Sequence, residues 1–330
     1  MRSLAPLLEG FFVDRLMRQR RASPHTIAAY RDTFRMFIRF VQKRLKKSPS
    51  SLDLQDLDAS LIGAFLDHLE KDRQNGERTR NARLSAIRSF FHYAAFQAPE
   101  HSGLIQRVLA IPQKRFERKV VHYLTAPEVE ALLAAPDRGT WIGRRDHAIL
   151  VTAIQTGLRV SELIQLSGRD VELGVGAHVR CLGKGRKERC TPLTAQTVQV
   201  LSSWLREQER GPADPIFPGR RGSPLSRDAI ERLVTKHAAR AAVASPSLRS
   251  KRVTPHTLRH TAAMRLLGAG IDQSMIALLL GHESVETTQV YLHADSTMKE
   301  AALAKTAPLS TPPPGRYRPP DALMAFLTGL

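Results

Sequence analysis

The sequence predicts a mainly helical, two-domain protein with one small antiparallel sheet, on three observations. Its 330 residues are enough for two domains with separate cores. Apolar side chains recur at the three-and-four spacing of a helix with one buried face through most of the chain. Only one patch, residues 171–193, changes to a β-rich pattern around a Gly-Lys-Gly turn.

The first helix is expected over residues 6–20, where Leu7, Leu8, Phe11, Phe12 and Leu16 repeat. Ser23 then offers an N-cap and Pro24 the first position of a second helix, which runs through Tyr30, Phe34, Phe37 and Val41. After the basic run 43–47 and a Ser/Pro turn, helices follow at 58–71 and 79–96. The latter interleaves Leu84, Ile87, Phe91 and Tyr93 with Arg80, Arg83 and Arg88. These four amphipathic helices predict a small all-α domain over 1–110. Periodicity lapses over 99–123, which carries Pro99, Gly103, Pro112 and the cations Lys114, Arg115, Arg118 and Lys119, and the linker is placed at 111–124. The second domain, 125–295, opens on a capping box made by Thr125 and Glu128. Helices at 146–156 and 160–166 precede the sheet, and helices at 195–209, 226–243, 257–268, 272–280 and 284–290 follow it. Helix-like Ala/Lys-rich residues, 294–305, lead into the tail, 296–330, which continues with a Pro-rich spacer and an apolar end, 321–330.

Charge narrows the partner class. The chain has 50 Lys and Arg against 31 Asp and Glu, a net +19, the footprint of a polyanion binder. The excess is +11 over residues 1–123, +6 over 124–295 and +2 over the tail. No apolar run approaches the roughly 18 residues of a membrane span, and the amino terminus has no signal-peptide pattern, so a cytoplasmic protein is expected. Cys181 and Cys190 have neither the number nor the spacing of a disulfide framework or a zinc site. A hairpin would set them across from each other, but a reducing compartment disfavours a bridge.

Four segments place basic residues at element ends. In 156–163 (TGLRVSEL), Gly157 ends one helix, and Arg159 and Glu162 lie three apart at the start of the next, where the carboxylate can steady the guanidinium. In 183–189 (GKGRKER), Lys184 stands at a hairpin tip; the GxxxxGK[ST] spacing of a phosphate-binding loop is not met. In 256–263 (HTLRHTAA), Pro255 opens a helix that puts His256 and Arg259 on one face. His256 and His260 have zinc-like spacing, but Thr257 stands where HExxH requires Glu, and no third ligand is evident. In 280–293 (LGHESVETTQVYLH), Gly281 ends a helix, His282 follows it and Tyr291 comes nine residues later. Taken singly, each has a plain structural reading: a solvated arginine, a charged edge hairpin, a core or interface tyrosine.

Together and in this order, the segments resemble the tyrosine recombinase (phage integrase) family, including the Xer-type resolvases. The resemblance covers about residues 125–295 and weakens over 1–110 to a match of architecture, a SAM-like helical core-binding domain. It implies that Tyr291 attacks a DNA phosphodiester to give a 3′-phosphotyrosine. Arg159 and Arg259 would then hold the non-bridging oxygens and Lys184 protonate the 5′-oxygen. His256 would act as general base or acid at the tyrosine hydroxyl, His282 donate to the phosphate, and Glu162 support the site without reacting. The family's chemistry needs no energy cofactor and no metal. It also implies double-stranded DNA as partner, a homo- or hetero-tetramer on that DNA, accessory recombinases or directionality factors, and a C-terminal segment that docks on a neighbouring protomer, either 321–330 or 294–305.

For DNA contacts in the first domain the candidates are Arg31, Arg35 and Arg39 on one helix and Arg80, Arg83 and Arg88 on another. The long Pro-rich tail and Arg-rich composition favour a mobile-element recombinase over a chromosome or plasmid dimer resolvase. A type IB topoisomerase would share the chemistry but relax supercoils as a monomer. A non-catalytic DNA-binding protein on the same fold would be expected to lose Arg159, Arg259 or Tyr291.

Overall fold

A computed structural model of the protein describes residues 3–116, 121–183, 188–207 and 211–281. The chain divides into two compact units, Met1–Arg118 and Lys119–Leu330. As the sequence predicts, the described elements are mainly helices, with one three-stranded antiparallel sheet.

The first unit contains α1 (Leu4–Gly10), a π-helical run (Phe11–Gln19), α2 (Pro24–Leu45), α3 (Ala59–Lys71), α4 (Glu77–Gln97) and α5 (Ser102–Leu109). Ser23 caps α2, its side chain accepting from the Thr26 N–H with Pro24 just inside the helix, and Asp58 caps α3 by accepting from Leu61. Two details depart from expectation. The single helix foreseen at 6–20 becomes π-helical after Gly10, because its fully buried Phe11 and Leu16 stand five apart, the spacing a π-turn closes. The aperiodic stretch after Pro99 forms α5, too short to show a period but long enough to bury Ile105 and Val108 against α3 and α4. An aromatic cluster closes the core, with Phe90 edge-on to Phe11 at 5.6 Å and to Phe34 at 5.4 Å.

The second unit contains α6 (Ala126–Ala134), α7 (Trp141–Thr156), α8 (Val160–Gln165), β1 (Val171–Glu172), β2 (His178–Leu182), β3 (Glu188–Pro192), α9 (Ala195–Arg206), α10 (Arg227–Ala241), α11 (Pro255–Gly268) and α12 (Gln273–Leu280). Helix α7 is buried along most of its length and packs against α6, α9 and α11. Strands run in the order β1-β2-β3, with Arg180 opposite Cys190 and Cys181 opposite Arg189. That register puts the two cysteines on opposite faces, Cys181 buried and Cys190 exposed, both free thiols. Burial pushes the Cys181 thiol up to about 11.

Two buried ionic groups hold the frame around α11. Asp146 accepts from Arg145 at 2.8 Å and pairs with His237 at 2.9 Å, joining α7 to α10. Lys251 donates to Glu128 at 2.7 Å and to the Tyr123 carbonyl at 3.0 Å, fixing the segment that enters α11. A smaller apolar cluster, Ala262, Ala263, Met264, Leu267, Ile276 and Leu280, binds α11 to α12. The expected helix at 284–290 and the tail lie outside the described residues. Among the described residues no helix is long and apolar enough to cross a membrane.

Candidate active site

The site is built on two glycine-ended helices. Helix α7 stops at Gly157 (φ 60°) and α12 at Gly281 (φ 65°), both left-handed as a glycine permits. A side chain at Gly157 would run into Leu280 and come within 3.1 Å of the Ala262 Cβ, so the close approach of α7 to α11 and α12 also requires glycine there. The carbonyls at these helix ends carry the negative end of each helix dipole and lack intrahelical donors.

Two arginines satisfy them. Arg259, one turn into α11, is buried; its Nη1 donates to the Gly157 carbonyl at 2.6 Å and its Nη2 to that of Leu280 at 2.7 Å. Arg159, at the N-cap of α8, donates Nη2 to the Gly281 carbonyl at 2.7 Å and Nη1 to Glu162 Oε1 at 2.8 Å. Glu162 also accepts the Arg159 backbone N–H at 2.8 Å, the i,i+3 support that the spacing predicts. Helix-end carbonyls thus bring together two guanidiniums that are 100 positions apart in the chain.

Glu162 is buried and has a second partner. Arg189, on β3, forks onto both its oxygens, Nη1 to Oε1 at 3.0 Å and Nη2 to Oε2 at 2.8 Å. Burial alone would raise the Glu162 pKa; the hydrogen bond from Arg189, the Arg159 backbone N–H and the two guanidiniums outweigh it and hold the carboxyl below its ordinary 4.5. Arg189 is a site residue that the motif reading gave no role. Strand periodicity could have found it, since it lies in phase with the buried Thr191.

His256 opens α11 behind Thr254, whose hydroxyl caps the helix. Its ring lies edge-on to that of His260, 4.1 Å between centroids. Desolvation in the cleft, then the Arg259 and Arg159 cations, push its pKa below the ordinary 6.5, so the imidazole is neutral at pH 7. The cleft, of about 450 Å³, is lined by Arg159, His256 and Arg259, with Arg227, Glu231 and Arg252 from α10 and the segment before α11. Arg252, which no motif marks, adds to its positive charge, while Arg227 is offset by Glu231, 3.6 Å away. Such a cleft, with two fixed guanidiniums beside a neutral imidazole, can bind a phosphoryl group and accept a proton next to it. Among the described residues no group of three or more His, Cys, Asp or Glu side chains could hold a metal ion. Of the predicted catalytic residues, Arg159, His256 and Arg259 meet at this cleft, with the supporting Glu162 bonded to Arg159, while Lys184, His282 and Tyr291 lie outside the described residues.

In the first unit Arg31, Arg35 and Arg39 are exposed on α2, four apart and on one face, Arg31 with a loose 3.5 Å pair to Asp32. Arg88 is half-buried. Arg83 spends its Nη1 on the Ala29 carbonyl and the Thr33 hydroxyl, tying α4 to α2. Arg80 corrects the expectation of a surface contact: it is buried, 3.6 Å from Glu70, and donates to Asn81 and to the Pro112 carbonyl. The reason is visible in the pattern, because position 80 stands four before Leu84 and seven before Ile87, on the buried stripe.

Residues 122–298 match the pattern described as the phage integrase family, and residues 10–97 that of the phage integrase N-terminal SAM-like domain. The chain is 59% identical over 328 residues to the putative integrase/recombinase y4rC of Sinorhizobium fredii, covering 99% of this chain and 98% of that one. It is 35% identical over 297 residues to tyrosine recombinase XerC of Pelobacter propionicus, covering 88% and 92%. In fold it is similar to the XerH site-specific recombinase crystallised on a palindromic difH substrate in a post-cleavage complex. That likeness has a TM-score of 0.69 at 24% identity, covering 87% of this chain and 81% of that one.

Proposed function

We propose, since this chain belongs to the phage integrase family, that it cleaves and rejoins double-stranded DNA through a 3′-phosphotyrosine formed on Tyr291. The observation that carries the reading is the convergence of Arg159, Arg259 and His256 on one cleft. Planar, permanently charged forks suit the equatorial oxygens of a phosphorane-like state.

In the cleavage step the Tyr291 oxygen bonds to phosphorus as the bond to the 5′-oxygen breaks. His256, neutral at pH 7, accepts the phenolic proton, and Lys184 supplies one to the departing 5′-oxygen. His282 donates to the phosphate. The phosphotyrosine keeps the phosphodiester's bond energy, so attack by a 5′-hydroxyl of another strand completes exchange without an energy cofactor. Two such exchanges require four active sites, hence a tetramer on DNA. An exposed apolar strip on α12, Met275 and Leu278 with Ile271 just before it, is a seat for a neighbour's C-terminal segment, 321–330 or 294–305. We favour a mobile-element role on the long Pro-rich tail and the Arg-rich composition.

A nicked substrate that traps the covalent intermediate tests the reading. The protein is expected to become attached to DNA, and Tyr291→Phe to form no detectable adduct; an adduct with the Phe variant would show that the nucleophile lies elsewhere. Supercoil relaxation without strand exchange would favour a topoisomerase.

The same protein allows the first-unit cations to be sorted. Arg35→Ala should reduce the slope of log affinity against log salt by about 0.9, the value of one phosphate contact. Arg80→Ala should leave that slope unchanged and instead lower stability by about 1–2 kcal/mol through its lost buried bonds. Binding measured from 50 to 200 mM salt, beside thermal melts, separates the two.

A further inference from the structure

Arg189 is a half-buried cation that the phosphate chemistry above does not use. Its side chain is 12% exposed, against 3% for Glu162 and 30% for Arg159. It occupies both oxygens of Glu162 in the fork geometry that a carboxylate accepts most strongly, which leaves Arg159 a single side-chain bond to that carboxylate. On its other side it lies against Gly281: a Cβ there would stand 2.6 Å from Arg189 Nη1 and 3.0 Å from its Cζ. The Gly281 carbonyl in turn accepts from Arg159. The start of α8, strand β3 and the end of α12 therefore close a ring around one carboxylate and two guanidiniums, with a net charge of +1.

The consequence lies in what Glu162 would do alone. A buried carboxylate facing only Arg159 would take its fork, neutralise it and draw it from the Gly281 carbonyl. We propose that Arg189 is a positioning residue for strand cleavage: by filling the fork of Glu162 it keeps the Arg159 guanidinium, and its charge, available to the phosphate. This rests on the function proposed above and adds to it a residue that acts through another without touching DNA.

The test is single-turnover cleavage of a nicked substrate by the full chain and its Arg189→Gln and Arg189→Lys variants, on three chemistries at the cleaved position. These are an ordinary phosphodiester, a methylphosphonate without the non-bridging charge, and a phosphorothiolate with sulfur as the 5′ leaving atom. Arg189→Gln should lose about a hundredfold on the phosphodiester, the scale of removing one charge-stabilising donor, and Arg189→Lys less. Relative to the unsubstituted chain, the Gln variant should recover to within about fivefold on the methylphosphonate and keep its loss on the phosphorothiolate. Its loss should also largely vanish on a Glu162→Gln background, where no carboxylate competes.

Equal losses on all three substrates would mean a merely structural role and overturn the proposal. Rescue by the phosphorothiolate alone would overturn it as well, placing the action of Arg189 at the hairpin that bears Lys184. If the unsubstituted chain forms no adduct on any substrate, the proposed function itself fails and this inference with it; a loss confined to the variants bears on Arg189 alone. Melting curves confirm folding, and methylphosphonate rescue cannot come from an unfolded variant.

Discussion

Arg259→Ala is expected to lower single-turnover strand cleavage about a thousandfold. The change removes a preorganised cation where negative charge develops, an effect of about 10²–10³ for a single donor of this kind. It also strips the donors from the Gly157 and Leu280 carbonyls, where α11 meets the ends of α7 and α12. Two buried carbonyls without partners should lower unfolding stability by about 3 kcal/mol. Arg259→Lys should keep part of the charge effect but not the fork, because an ammonium cannot reach both carbonyls in one plane. Rapid-quench cleavage and denaturant unfolding measure the two effects separately, and cleavage by the Ala variant within tenfold of normal would remove Arg259 from the phosphate.

Glu162→Ala is the second large effect, expected first in stability. Its carboxylate compensates two guanidiniums and a backbone N–H in a buried place. Removing one partner from a buried ionic group costs about 3–5 kcal/mol, since the other charges stay behind. Glu162→Gln should cost less, because it preserves shape and one acceptor. The pH dependence follows from the depressed carboxyl: it binds a proton less readily folded than unfolded. Its stabilisation is therefore complete above pH 4.5 and is lost as pH falls through the lower folded value. Glu128 and Asp146, also held low despite the opposing pull of burial, shift stability the same way. Unfolding of the parent and of Glu162→Gln at pH 7 and below pH 4 should show a gap that narrows with acid; a gap independent of pH would mean that the carboxylate's charge is not what matters.

Local signals were legible wherever partners are near in sequence. Ser23 before Pro24 and the Thr125–Glu128 box both cap the helices they announce, because a cap satisfies N–H groups only two or three residues on. Gly157 and Gly281 were readable as helix ends for the same reason. The misses have physical causes. Helix α5 is two turns long and offers just two buried apolar positions, too few to reveal a period. Residue type makes Arg80 a candidate for DNA, but its position on the α4 stripe puts it inside, where Glu70 and the Pro112 carbonyl make an interior arginine tolerable. Arg189 went without a role because strand phase shows only that it points inward, not at what.

By itself the sequence determined most of the element types, the family resemblance through four ordered motifs, and an excess of positive charge that points to a polyanion. Those rest on composition and on relations within a few residues. The tertiary structure decided how the positive charge is divided. Arg80 and Arg83 are spent on holding the first unit together, Arg189 on Glu162, while Arg159 and Arg259 are anchored by carbonyls 122 and 102 positions away and kept at the cleft. A guanidinium's role is set by the acceptor it meets, and only folding brings distant carbonyls and carboxylates within the 3 Å at which a hydrogen bond forms.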